Sequence, residues 1–126
     1  MRTTTVTLSA GGDPVPVVDH EPTFSAFEEW DGAPLRGVQL HEIETRGAIE
    51  LQLVQIAAGG EFVMHSSPKV AFCHVVQGAG LLGFPDGSAQ AYRGPETFVF
   101  HPGTPHDWHD VSEDTLLAVA IMPDDA

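Results

Sequence analysis

The chain has 126 residues, five Lys and Arg against 18 Asp and Glu, a formal net charge of −13 and one cysteine. That length predicts a single domain. The charge excludes nucleic-acid backbones and anionic membrane surfaces as partners and leaves a neutral or cationic small molecule open; the lone Cys73 excludes an intrachain disulfide framework.

The first twelve residues are polar and Thr-rich, without the apolar core of a secretory signal. No apolar run approaches the ~18 residues of a membrane helix, so a cytoplasmic protein is expected. Glycine occurs 13 times and proline 10 times, spread along the chain. Between these breakers lie short strand-like stretches. Residues 1–45 read as an arm with possible edge strands at Thr4–Leu8 and Val38–Ile43, and with one helical turn over Ser25–Trp30 capped by Ser25. Residues 46–122 read as a compact barrel. Ile49–Ile56 alternates cleanly to Leu53 and slips at Val54, as at a β-bulge or a strand crossing between sheets, before Gly59-Gly60. Glu61–His65, Val70–Val76 closed by Gly78, and Leu81–Phe84 before the turn Pro85-Asp86-Gly87 follow. Thr97–His101 stops at Pro102-Gly103; His106–Val111 and Thr115–Met122 complete the series. Short strands at near-regular spacing predict an all-β sandwich or barrel.

Two segments resemble the paired motifs of the cupin superfamily. The first is Gly60-Glu61-Phe62-Val63-Met64-His65-Ser66-Ser67, continuing through Val75-Val76-Gln77-Gly78-Ala79-Gly80. The second is Gly94-Pro95-Glu96-Thr97-Phe98-Val99-Phe100-His101-Pro102-Gly103-Thr104-Pro105-His106. The resemblance implies a single-domain cupin barrel of the double-stranded β-helix, or jelly-roll, type. It also implies a divalent metal (Fe, Ni, Zn or Mn) on histidines of two strands, and an oxygenase, isomerase or cyclase acting on a small organic molecule. His65 and His106 match the family's ligand positions. The second His of the family motif is Ser67 here, the Glu is Ala71, and the Asn that commonly follows the last His is Asp110.

Five of the seven histidines lie between residues 65 and 109, so a neighbouring side chain is expected to complete the coordination. Strand parity turns Cys73 inward with position 71 and His74 outward. Cys73 is therefore the first candidate ligand, as a thiolate, and a small buried hydrophobe otherwise. His101 reaches the site only through a bulge. The same parity places Trp108 and Asp110 inward with His106, where Asp110 would orient His106 or act as a base; His109 faces out. Glu28, Glu29, Asp31, Glu42 and Glu44 read as solvated faces. No phosphate-cradling, dinucleotide-binding or nucleophile-elbow motif is present. The rival readings are a metal-free ligand-binding module and a structural or regulatory module with a vestigial site. Exposed sheet edges and the strand-like arm predict a homodimer.

Overall fold

The computed structural model describes residues 1–19 and 21–124, with eleven strands and no helix among them. β1 (Thr3–Leu8) and β2 (Pro14–Asp19) form an antiparallel hairpin of their own. Two further short strands, β4 (Glu29–Trp30) and β5 (Ala33–Pro34), pair across Asp31-Gly32. Asp31 has φ 49° and Gly32 φ 83°, the two left-handed residues of a tight hairpin turn. This Asp-Gly turn, with β3 (Ser25–Ala26) before it, replaces the helical turn expected over Ser25–Trp30.

The remaining strands are β6 (Arg36–Arg46), β7 (Ile49–His65), β8 (Val70–Gly83), β9 (Ala89–Arg93), β10 (Glu96–Phe100) and β11 (His106–Met122). They form one antiparallel sheet in the order β10-β8-β11-β7-β6-β3, with β9 alongside β8. The sheet therefore begins before residue 46, because β6 joins it at the edge of β7. The hairpin β1–β2 does not extend this sheet.

β7 and β8 are long because they pass through glycines that read as stops in the sequence, and β11 is long because it runs on through Ser112–Asp114. β11 pairs residues 106–108 with the far end of β7 and residues 115–121 with its near end. The long strands thus bend through both walls of the barrel. Gly78 sits at such a bend with φ 112°, and a Cβ there would lie 2.5 Å from the Thr115 Cα. Only glycine fits both the backbone angle and the approach.

The expected bulge at Val54 is absent. Pairing of β7 with β11 is unbroken from Glu50 to Ile56, and the irregularities of the β6–β7 pairing lie between Arg36 and Val38 and between Glu42 and Glu44. Leu53 and Val54 are both buried because both faces of β7 are covered there, and only Val54 joins the central core. That core includes Val38, Ile56, Val75, Leu82, Tyr92, Phe100, Trp108 and Leu117. Within the buried interior, the Tyr92 hydroxyl and Thr115 Oγ1 satisfy each other at 2.7 Å.

Candidate functional site

His65 ends β7 and His106 begins β11, and the two are direct cross-strand partners. Their side chains share one face, with ring centroids 4.4 Å apart. The loops beside them are tied together: the Gly103 N–H donates to the Ser67 carbonyl at 2.7 Å. Pro102-Gly103, with Gly103 at φ 73°, makes the turn that brings β11 back over the end of β7.

Backbone geometry fixes the tautomer of both rings. His65 Nδ1 lies 2.7 Å from the Val63 carbonyl, and His106 Nδ1 lies 3.1 Å from the Thr104 carbonyl. A carbonyl only accepts, so each Nδ1 holds the proton and each Nε2 presents a bare lone pair. Burial holds the His65 pKa below its ordinary value. Burial, reinforced by His65, pushes His106 down to about 4. Both rings are therefore neutral at pH 7. Phe100 stacks on His106 at 3.6 Å and 6°, and Phe62 lies 4.1 Å from His65. The edge of Trp108 and the indole of Trp30 complete an aromatic surround.

The rings line the inner end of a cavity. That end encloses about 80 Å³ and is bounded by His65, His106, Phe62, Trp108, Cys73 and Leu117, with Gln52, Ser67 and Ala71 also on its wall. It shares Trp30, Gln52, Val54, Phe62, Ser67 and Ile121 with an outer chamber of about 300 Å³. Phe27 and Trp30 roof the outer chamber from the N-terminal segment, and Glu50 and Lys69 stand at its mouth. The Lys69 ammonium is held by the Ala48 carbonyl at 3.0 Å and by Glu50 at 3.8 Å. No buried side-chain nitrogen or oxygen among the described residues lacks a partner. The two Nε2 atoms, which make no hydrogen bond, consequently open onto the cavity.

The structure brings together His65, His106 and Cys73 and leaves the other candidates outside. Cys73 points inward as parity predicts, but burial raises its thiol to about 12, so it lines the wall as a neutral thiol. Ser67 and Ala71 also line the cavity, at the positions where the motif would place ligands. His101 is exposed at the turn, where its carbonyl accepts from the Thr104 N–H; it does not line the cavity. Asp110 corrects the parity argument. A register shift between His109 and Glu113 interrupts the alternation, and Asp110 sits exposed at φ 44°. It borders a shallow groove with Tyr92, Arg93 and Ser112 instead of the cavity, and the buried inward residue there is Val111. His74 bonds Thr97 Oγ1 at 2.7 Å, and His109 bonds Asp107 at 2.5 Å.

Sequence reasoning missed the roof. Phe27 and Trp30 precede the Asp31-Gly32 turn, and two aromatics three apart before a hairpin signal were the available clue. Gln52 and Phe100 were also missed; alternation places Phe100 inward with Phe98, but apolar alternation over Ile49–Leu53 would turn Gln52 outward, and the structure instead exposes Ile49 and Leu51.

A metal held by the protein does not fit this donor set. Among the described residues no three His, Cys, Asp or Glu side chains converge at ion-binding spacing. Two imidazoles alone leave at least two positions of a four-coordinate ion unfilled. Ser67 and Ala71 supply no charge, and His109, turned away from the cavity, engages the Asp107 carboxylate.

No family model matches the chain, and no curated protein matches it. Solved structures do. A putative ethanolamine utilization protein Q from Salmonella typhimurium aligns with a TM-score of 0.70 at 14% identity, over 98% of this chain and 96% of that one. A cupin 2 conserved barrel domain protein from Rhodopseudomonas palustris aligns at 0.67 and 15%, over 95% and 80%. The polyketide cyclase RemF from Streptomyces resistomycificus aligns at 0.66 and 17%, over 80% and 74%. At these identities the likeness shows the fold: this chain has the cupin fold.

Proposed function

We propose that this cupin barrel binds a small, largely apolar molecule in its interior without a resident metal. One observation supports the reading above others: His65 and His106 both commit Nδ1 to backbone carbonyls and turn a neutral Nε2 into an aromatic cavity that offers no third ligand. An inner end of about 80 Å³ opening into about 300 Å³ has the small, apolar, few-polar-group character of ligand pockets. The divalent ion implied by the motif is the rival. It requires a third donor, and no third His, Cys, Asp or Glu among the described residues converges with the two rings. The chemistry of the polyketide cyclase is compatible with such a cavity, since a neutral imidazole can accept a proton.

Titration with toluene in chelator-containing buffer tests the reading, with the Trp108 indole and Ile121 methyl resonances as reporters. Saturable shifts that zinc leaves unchanged are expected. Shifts that appear only with stoichiometric zinc would overturn metal independence, and no shift in either condition would overturn the pocket.

We also infer a homodimer. Val99, Phe72, Ala120 and Leu51 are successive register partners across four strands, and Val99, Phe72 and Leu51 are 51%, 37% and 39% exposed on the outer face. On the hairpin, Val6 and Leu8 pair with Pro16 and Pro14 and remain exposed. An isolated two-stranded hairpin is marginal in water. Both surfaces lack charge in a chain of net −13, so they are where two copies approach without opposing carboxylates. Light scattering at twice 13.5 kDa is expected, and a monomer mass at micromolar protein would contradict it.

A further inference from the structure

The polar groups at the inner end of the cavity are unusually one-sided. The two histidines contribute acceptors only, since each ring proton is already given to the Val63 or Thr104 carbonyl. Cys73 adds a weak S–H donor. Ser67 Oγ accepts from the Lys69 N–H at 3.1 Å, which leaves its O–H as a neutral donor. Gln52 offers one donor side and one acceptor side and does not discriminate. Lys69, the cation of the mouth, is occupied by Ala48 and Glu50. No cation lines the inner end.

We infer that the inner end recognises a flat aromatic ligand through a head group that donates two hydrogens, an amino or amidino nitrogen, and discriminates against a carboxylate. This rests on the reading of the cavity as a metal-free binding site. The two rings are cross-strand partners with centroids 4.4 Å apart, so a single nitrogen with two N–H groups can lie about 3 Å from both Nε2 atoms. An anionic head group would meet two lone pairs in a desolvated site, with only the neutral Cys73, Ser67 and Gln52 donors and no cation to compensate its charge. A cationic head group meets Phe62 and the indoles of Trp30 and Trp108, which line the inner end and attract positive charge. The net charge of −13 acts in the same direction at long range, raising the local concentration of cations and lowering that of anions. The head group loses water on entry, and the two acceptors replace it. A methyl group in its place leaves both lone pairs unpaired in the cavity, which is the costly case.

Toluene and aniline test this directly, because they differ only by methyl against amino. Titrations of aniline, benzamidine, toluene and benzoate at neutral pH with chelator present, read on the Trp108 indole and His106 ring resonances, are expected to rank the ligands. Aniline and benzamidine should bind at least tenfold more tightly than toluene, and benzoate should give no saturable shift. Aniline is neutral under these conditions, so its preference over toluene reports donors and not charge. Equal binding of aniline and toluene, or binding of benzoate, would overturn the ligand class while leaving the cavity as a binding site. No saturable shift from aniline or toluene would overturn both. His65→Phe removes one acceptor and keeps an aromatic ring; the preference for aniline over toluene should shrink, whatever the substitution does to toluene binding itself. A folded variant that retains the full preference would contradict the inference, and the ranking on the unaltered protein tests it whether or not the variant folds.

Discussion

The two faces of β8 follow one alternating sequence and reach opposite chemistry. Ala71, Cys73 and Val75 point inward and are buried, whereas Phe72 and His74 point outward and are exposed. Inside, desolvation acts on every titratable group: Cys73 keeps its proton and His106 loses its own. Outside, the apolar Val99–Phe72–Ala120–Leu51 row meets solvent. Residue type alone therefore does not say what a histidine or cysteine does here; the face it occupies decides it. Burial keeps Cys73 a neutral thiol in the metal-free protein and leaves the imidazoles as neutral acceptors.

The largest expected contrast between the faces is in packing. Trp108 is 1% exposed and touches Tyr92, Phe98 and Phe100 edge-on. Trp108→Ala should cost about 3–5 kcal/mol in denaturant unfolding. Phe72→Glu on the outer face should change monomer stability by less than about 1 kcal/mol yet abolish the dimer mass in light scattering. Comparable destabilisation by the two substitutions would erase the distinction.

Acid separates the faces next. His65 and His106 have folded pKa values below the unfolded value, so the unfolded chain binds protons first as pH falls. Their contribution is fully present above pH 6.5 and is lost as pH falls from there toward about 4. The loss is of order 1–3 kcal/mol for His106, and Asp107 nearby opposes it for both rings. Unfolding midpoints measured across this window should fall steadily, and His106→Phe should flatten the slope. A slope unchanged by that substitution would place the titration elsewhere.

Smaller effects are expected at the two residues that the sequence reading drew into the metal site or its chemistry. Cys73→Ser should leave zinc uptake as it is in the unaltered protein, and native Cys73 should resist alkylation at pH 8 while reacting once denatured. Rapid native alkylation would contradict a thiol raised to about 12. Asp110→Gly should be neutral or stabilising by up to about 1 kcal/mol, since φ 44° suits glycine, and should not alter toluene shifts in the cavity.

The fold was legible because breakers punctuate strands, and because His65 and His106 stand where the motif places them. Inward parity was also correct for Ala71, Cys73 and Trp108, where register is regular. It failed at Asp110 because alternation cannot foresee a shift between His109 and Glu113. Glycine read as a stop at Gly78 is instead the residue that lets one strand turn a barrel corner. The aromatic roof was not legible because Phe27 and Trp30 reach the cavity through a hairpin and not through strand alternation. That Ser67 and Ala71 stand at two ligand positions was legible; that no neighbouring side chain makes up a third ligand was not, since parity assigns a face but not a distance.

The tautomer and charge of the two rings decide the account most directly. Long-range proton–nitrogen spectra of the histidines at neutral pH should show Nδ1 protonated and Nε2 bare in both His65 and His106, with no change on adding stoichiometric zinc. An Nε2 proton on either ring, or a zinc-induced shift of both Nε2 resonances at one equivalent, would contradict a metal-free pair of acceptors.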